Sequence, residues 1–480
     1  MASERFRRQL NQEGTQWQTE GLISPEQWQQ LRDRYQIDNL EQDSKNRFTL
    51  ILMSVGCILI GLGMLTYVAA NWQEIPRNVR VGMLFLLFIG VNFGGYQLWQ
   101  SVRSVQQRLG QAILLLGGLL LGANITLLAQ MFHIGGSAHP LFFNWGLAVW
   151  LMAYSLRQTP LGLLSIVLLG LGYWTGWWEV YWDLSSRYAE PSLYSVVMLN
   201  MPAIAALLFI PLAYRCRSRL LFTAACLGVG SALINSWHEY VLMDIPILAA
   251  IVLILPTALL WGYDDTLWAD LLRQRLPLTQ NPRPFQPIAR VLGIVYLGQL
   301  LYFNSFYFSR LSFDLSWYAG NQQWLYFLPG FLLLTIVMVV QWVYLVRSEL
   351  RSERRNANHR NNTLAIAGFL GAIGFICLLS TPTGHPWITF TINALLALLG
   401  IGLIRQSLEN SRRAPFWYGL VLIVLQITSR MLEYETALML KALIFILCGA
   451  GVILAGLWFE KYMQHHQAIA PQAPDTSIDS

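Results

Sequence analysis

The side chains best suited to bind a polar ligand lie at the ends of long apolar segments. Amides such as those of Asn144 and Asn235 donate and accept hydrogen bonds, and so does the imidazole of His133. The distribution of Lys and Arg assigns these segment ends to the outside of a membrane. We therefore predict a polar vestibule open to the external side, although the same residues would also suit simple contact with water or lipid headgroups. Its candidate lining residues are Thr126, Gln130, His133, Asn144, Asn235 and His238.

Several of these residues share one face of the apolar segment 110–131. Successive helix residues turn by about 100°, and this rotation gathers small and polar side chains while Asn124 points the opposite way. Two interpretations remain: a tight helix–helix contact that glycine permits, or the inner wall of the vestibule. The residues on this face are Gly118, Gly122, Thr126, Gln130 and His133.

A second constellation consists of opposite charges near the last predicted external loop. Arg430, Glu433 and Lys441 flank this loop and lie close enough along the chain to meet at the membrane surface. They predict an ion-pair network that joins the last two spans. The alternative is that each long side chain extends separately to the water.

Motifs for the common enzyme and metal chemistries are incomplete in this sequence. His238-Glu239 resembles the start of the zinc-protease helix, but Leu242 stands where that helix has its second histidine. The chain has no G-x-x-x-x-G-K-[ST] loop for nucleotide phosphates and no C-x-x-C pair. We therefore predict no catalytic residue, no metal and no cofactor, and an enzymatic function is the less favoured class.

The composition places these residues in a membrane protein. The 480 residues are 55% hydrophobic and 12% charged, whereas about a quarter of the residues of a soluble protein are charged. A span requires about 20 apolar residues, and the runs of this kind predict an all-α, polytopic transmembrane helical bundle with about fourteen spans (about twelve to fourteen). The runs are 49–70, 80–99, 110–131, 141–156, 160–178, 193–214, 219–237, 245–263, 288–308, 324–346, 363–380, 386–404, 415–432 and 437–459.

The basic residues indicate the orientation of these spans. Positive charge is retained on the cytoplasmic side, and most of the 32 Lys and Arg residues fall in alternate loops on the same side as both termini. Both ends are therefore predicted to be cytoplasmic, in a bacterial inner membrane or, for a cyanobacterial protein, in the thylakoid. The net charge of +6 does not indicate nucleic-acid binding, because the basic residues are dispersed among short loops. The few on the opposite side are Arg77, Arg80, Arg187, Arg310 and Arg430.

The apolar segments divide the chain into three parts. Residues 1–47 are predicted to form a cytoplasmic helical hairpin, residues 48–462 the transmembrane bundle and residues 463–480 a disordered tail. In the hairpin, Ser24 is predicted to cap the second helix and Gln27 to return the bond. Besides the lipid bilayer as partner, we consider a protein partner that binds this hairpin.

Short motifs in the first third of the chain, and others near its end, carry a family resemblance. The first group comprises Trp17 with Gly21-Leu22-Ile23-Ser24 and Glu26-Gln27, Tyr67-Val68-Ala69-Ala70-Asn71-Trp72, Gly122-Ala123-Asn124-Ile125, the stretch Ala129 to Gly136, and Leu141-Phe142 through Trp145. These motifs resemble a bacterial family of predicted membrane proteins, domain of unknown function 2157. The later stretches, with Glu433, Lys441-Ala442-Leu443 and Glu460-Lys461, look like those of cyanobacterial members. The family carries no accepted activity, so the resemblance implies a membrane location and a fold type and transfers no catalytic residue.

Three classes of function fit these features. A transporter or permease-like bundle with an external vestibule would explain the number of spans and polar residues such as Asn200 and Gln426 within apolar segments. The alternative is a non-catalytic membrane scaffold, sensor or assembly partner that acts through residues 1–47. The third and less favoured class is an intramembrane enzyme that acts on lipid-linked substrates from the vestibule.

Overall fold

The residues described by the computed structural model form helices joined by short connections. A bilayer offers no water to backbone amides, so an apolar run must pair its own amides, as a helix does. The described residues are 4–35, 75–133, 135–185, 193–242, 246–267, 285–306, 324–351, 357–379, 386–410, 412–433 and 437–469.

Each predicted apolar run from 80–99 onward coincides with one helix, except that the run 193–214 is divided between two. The run 49–70 lies outside the described residues. Two helices, α1 (Glu4–Thr19) and α2 (Pro25–Tyr35), precede the described apolar helices. The others are α3 (Arg77–Trp99), α4 (Ser104–Met131), α5 (Ala138–Leu156), α6 (Thr159–Ser185), α7 (Leu193–Leu199), α8 (Met201–Cys216), α9 (Arg219–Leu242), α10 (Pro246–Trp261), α11 (Gln286–Asn304), α12 (Trp324–Arg351), α13 (Ala357–Leu379), α14 (Pro386–Asn410), α15 (Arg413–Glu433) and α16 (Leu438–Ile469).

Among the described residues, 8 helices are long and apolar enough to cross a membrane, or up to 9 if the bent pair α7–α8 is one span. The all-α membrane bundle predicted from the sequence is therefore confirmed, whereas the predicted number of about fourteen spans is not confirmed. The apolar parts of α9 and α10, Arg219–Asn235 and Ala250–Trp261, are shorter than this length. The candidate spans are Arg77–Trp99, Val105–Met131, Thr159–Trp177, Leu328–Arg347, Arg360–Leu378, Trp387–Glu409, Arg413–Glu433 and Leu438–Tyr462.

Residues Met1–Leu87 form one compact unit, in which α1 and α2 make a hairpin with a small core around the buried Trp28. Ser24 Oγ accepts a hydrogen bond from the backbone N–H of Gln27 at 3.2 Å. In return, Gln27 Oε1 accepts one from the backbone N–H of Ser24 at 2.9 Å. The capping predicted from the sequence is thus confirmed, and it fixes the start of α2. Residues 36–74 of this unit lie outside the described part. The side chains packed around Trp28 are Leu10, Ile23 and Leu31.

Residues Phe88–Ser480 form a second unit, which contains two extensive apolar cores. The first core draws on helices from α5 to α12 and the second on helices from α10 to α15, so α10 contributes to both, for example through Leu255 and Ala258. In the second core α14 packs along α15. Glycine permits this approach, because a Cβ on Gly419 would lie 2.6 Å from the Gly400 carbonyl oxygen.

The last helix, α16, lies apart from these two cores. Most of its apolar side chains are exposed, as expected for a surface that faces lipid. Its Phe459 stacks on Phe416 of α15 with ring centroids 4.1 Å apart, in a separate small cluster. The helix continues to Ile469, and residues 470–480 lie outside the described part.

One residue, Asn200, interrupts the apolar segment of α7 and α8, and the two helices are bent by 72° at this point. Asn200 Oδ1 accepts a hydrogen bond at 2.7 Å from the Gly330 amide of α12, and Asn200 Nδ2 donates one at 2.9 Å to the Val196 carbonyl oxygen. Pro202 follows in the first turn of α8, where a missing N–H is tolerated. The bend is therefore fastened to a neighbouring helix by a side chain.

Candidate functional site

A histidine–carboxylate pair joins the beginning of α5 to the end of α6. His139 Nδ1 lies 3.0 Å from Glu179 Oε2; the His139 side chain is 10% exposed and the Glu179 side chain 47% exposed. The pair therefore runs from the packed interior to the surface. Gly176 lets α5 approach α6, because a Cβ there would lie 2.7 Å from His139 Cβ and 2.3 Å from Met198 Cε.

Tyr194 of α7 connects this pair to one of the predicted vestibule residues. Its hydroxyl accepts a hydrogen bond from Asn144 Nδ2 at 2.9 Å. Its ring stands edge-on to the His139 ring, with centroids 6.2 Å apart. The amide of Asn144 marked that residue as a candidate in the sequence, whereas a tyrosine near a membrane surface is too common to stand out.

The predicted residue Asn235, on α9, contacts α6 through Tyr173. Its Nδ2 donates a hydrogen bond at 3.1 Å to the Tyr173 hydroxyl, which in turn lies 3.4 Å from the Ala232 carbonyl oxygen. Tyr173 lies within about two helical turns of Glu179 on α6. We call the four residues joined by the contacts of His139 and Tyr194 the α6 polar cluster; they are His139, Asn144, Glu179 and Tyr194. Tyr173 of α6 and Asn235 of α9 form a separate pair.

The cluster combines a carboxylate, an imidazole, a phenol and an amide. Such a set binds polar groups by hydrogen bonding and, through Glu179, a positive charge. Within the described ranges, no group of three or more His, Cys, Asp and Glu residues is arranged to hold a metal ion. The predicted absence of metal and cofactor stays a prediction.

The other predicted vestibule residues have different surroundings. Thr126 Oγ1 donates to the Gly122 carbonyl oxygen of its own helix at 2.9 Å. Gln130 and His133 are exposed at the end of α4, and His133 has a left-handed backbone with φ of 52°. Within the described part of the chain, no hydrogen bond joins these three residues to the α6 polar cluster. The side chain of His238 lies outside the described residues.

The predicted charge constellation is partly assembled. Arg430 forms an ion pair with Glu433 one turn later on α15, and both side chains are largely buried. Lys441 lies in the first turn of α16, half-buried, and makes no ion pair with the charged groups of the described segments. A network of all three residues therefore stays a prediction.

Sequence reasoning missed a polar cluster between α8, α10 and α11. The Tyr214 hydroxyl donates to Asp265 Oδ1 at 2.6 Å and lies 2.6 Å from the Tyr263 hydroxyl. Asp265 Oδ2 accepts hydrogen bonds from the backbone N–H groups of Phe285 at 2.7 Å and Gln286 at 2.9 Å. These bonds cap the start of α11. The available signal was two acids directly after an apolar run.

The N-terminal third of the chain resembles a known family of membrane proteins. Residues 15–162 match a family model described as Predicted membrane protein (DUF2157). The resemblance to this family is thereby confirmed, and the cyanobacterial qualifier is not confirmed. The DUF2157 match includes His139 and Asn144 of the α6 polar cluster and ends before Glu179 and Tyr194. No curated protein and no solved structure matches the chain.

Proposed function

We propose that this membrane protein is a permease for a small polar solute and that the α6 polar cluster binds the solute. The observation that carries the proposal is the bend at Asn200, next to the short helix α7 that supplies Tyr194 to the cluster. Interrupted membrane helices are a recurrent feature of solute sites in transporters, because the break exposes polar groups inside the bundle. An ionisable residue at the end of an apolar span, such as Glu179, is therefore a candidate binding residue.

The chemistry of the cluster favours a solute with amino or hydroxyl groups. Glu179, being half-exposed, is the acceptor that an incoming cation or donor would meet first. Asn144 and Tyr194 would follow, since their mutual bond can be exchanged for bonds to a solute. Movement of α7 about Asn200 would then carry Tyr194 toward or away from the solute.

Transport by the purified full-length chain in lipid vesicles tests this function. The probes are radiolabelled choline, alanine and glucose, which carry a cation, a zwitterion and hydroxyl groups. Glu179→Gln should reduce the uptake of an accepted probe about tenfold, because it removes the charge and keeps the shape. The matched control is Glu409→Gln, whose partner Arg405 is at the exposed surface.

Two results would contradict the permease. One is uptake that Glu179→Gln leaves unchanged. The other is the absence of uptake for every probe together with an Asn144→Cys thiol that no water-soluble reagent reaches from either side of the vesicle.

A second candidate is a scaffold that recruits a protein through residues 1–47. The observation in its favour is that the α1–α2 hairpin encloses its own Trp28 core and so needs no further packing to hold its shape. Leu22 remains exposed at the turn, where a partner can reach it. Co-purification from cells compares the wild-type full chain with its Leu22→Asp variant. If the protein is a scaffold, the variant loses its protein partner while its transport in vesicles is unchanged.

A further inference from the structure

Arg430 is held along one edge of its guanidinium group. Its Nη1 donates to the Ser305 carbonyl oxygen at 2.9 Å and pairs with Glu433. The plane of the group lies over the Phe306 ring, with Cζ 4.0 Å from the ring centroid. The side chain is 11% exposed, so this charge lies almost entirely out of water.

The opposite edge of the same group is buried and unused. Nε and Nη2 of Arg430 have no hydrogen-bond partner among the described residues. These two N–H groups point in parallel and form the fork that takes both oxygens of a carboxylate or phosphate. A buried charged donor without an acceptor is costly, so an oxyanion bound at this edge would be strongly stabilised.

The surroundings of Arg430 keep this edge in place. Asn393 Nδ2 donates to the same Ser305 carbonyl oxygen at 3.1 Å, and Gln426 Nε2 donates to the Asn393 carbonyl oxygen at 2.7 Å. The ends of α11, α14 and α15 are thereby tied around the arginine. Thr389, in the first turn of α14, has a buried hydroxyl oxygen that also finds no partner among the described residues. Thr389 lies one turn before Asn393, whose Nδ2 donates to the Thr389 carbonyl oxygen at 2.8 Å.

We propose that Arg430 is an oxyanion-binding residue, which takes a carboxylate or phosphate group on its Nε–Nη2 edge. This site belongs to the second core and does not depend on the proposed solute site around α6. Glu433 occupies the other edge and partly neutralises the charge, which lowers the cost of burying Arg430. The two sources of such a group are the headgroup of an anionic lipid and a small soluble anion.

Binding to the purified full-length chain in neutral detergent separates these sources. One arm titrates dioleoylphosphatidylglycerol against dioleoylphosphatidylcholine, and the other titrates sodium phosphate and sodium acetate against chloride at equal ionic strength. The readout is the rise in melting temperature together with bound lipid in native mass spectrometry. Arg430→Lys keeps the charge but loses the parallel fork, so the affinity for the oxyanion should fall about tenfold. The matched control, Arg413→Lys, alters an exposed arginine that pairs with Glu460.

Glu433→Gln provides a test in the opposite direction. It removes the competing carboxylate and leaves Arg430 charged, so oxyanion affinity should rise about tenfold, whereas Glu460→Gln should leave it unchanged. If Glu433→Gln does not fold alone, rescue of its folding by the oxyanion supports the site, and failure of that rescue overturns it. A wild-type chain that binds neither lipid nor soluble anion overturns the proposal, as does a Glu433→Gln chain that folds and binds no tighter. A preference for lipid or for phosphate identifies the source.

Discussion

The indole of Trp145 lies directly on the backbone of α4 at Gly122. Its Nε1 donates a hydrogen bond to the Gly118 carbonyl oxygen at 2.7 Å, and a Cβ on Gly122 would lie 2.3 Å from the ring. The indole thus fills the space that the missing side chain leaves, and it pairs its polar nitrogen at the same time. This contact joins α4 to α5 near the residues that supply the α6 polar cluster.

Gly122→Ala should therefore destabilise the protein by about 1–3 kcal/mol, because Trp145 must leave its hydrogen bond to admit a methyl group. The measurement is the unfolding midpoint of the purified chain in detergent. Gly170→Ala on α6 is the control, since a Cβ there meets nothing within 4 Å and should stabilise the helix slightly. Equal midpoints for the two variants would show that the indole does not rest on Gly122.

The fastening of the bend at Asn200 predicts an interaction between two substitutions. Gly330→Ala alone should destabilise by about 1–3 kcal/mol, since its Cβ would lie 2.6 Å from Asn200 Oδ1. Asn200→Ala removes that oxygen, so the same change at Gly330 should then cost less. Unfolding midpoints of the two single variants and the double variant measure this coupling, and strictly additive effects would contradict the contact.

The cap of α11 predicts a specific requirement for a carboxylate at position 265. Asp265→Asn keeps the size but offers one acceptor oxygen instead of two, so either Tyr214 or the two backbone amides lose their acceptor. We expect a loss of about 1.5–3 kcal/mol in the free energy of unfolding. Glu409→Gln, at an exposed ion pair, should change it by less than about 1 kcal/mol. An Asp265→Asn chain as stable as the wild type would remove this role.

Gln158 offers a stabilising substitution. Its side-chain amide is 2% exposed and neither polar atom finds a hydrogen-bond partner within the described residues. Gln158→Met keeps the length without the buried polar atoms and should raise the stability by about 1 kcal/mol. Gln426→Met should have the opposite effect, because that amide donates to Asn393. A fall in the unfolding midpoint of Gln158→Met would indicate that a water satisfies this amide.

The charge pattern predicts the sidedness of the bundle. Reporter fusions at positions 48 and 480 should report cytoplasm, and a fusion at position 185 should report the outside, because Lys and Arg concentrate in the loops assigned to the inside. Each position is fused in turn to a reporter that is active only in the cytoplasm and to one that is active only outside, so the two signals control each other. A cytoplasmic signal at position 185 would reverse the predicted external face of the α6 polar cluster.

The positions of the apolar helices and the cap of α2 could be predicted from the sequence. The segment 110–131 lies within α4, and the Ser24–Gln27 cap formed as predicted, because both depend on neighbouring residues alone. Asp265 contacts Tyr214 and Asn200 contacts Gly330, and the residues of each pair are far apart in sequence. No local sequence pattern predicts such contacts. Asn144 and Asn235 could be proposed from their amides, but their tyrosine partners depend on how α6 packs.

The surface of α16 is almost wholly exposed, so this helix depends little on packing against the rest of the protein. Lipid tails solvate apolar side chains as well as protein does. The bilayer therefore stabilises the membrane-spanning position of α16 even where α16 does not pack against other helices. Its rotation is set at one end, by the stack of Phe459 on Phe416 and the pair of Glu460 with Arg413. Substitutions in that small cluster should therefore weaken the contact of α16 with α15. Both apolar cores should keep their packing, because α16 contributes no side chain to them.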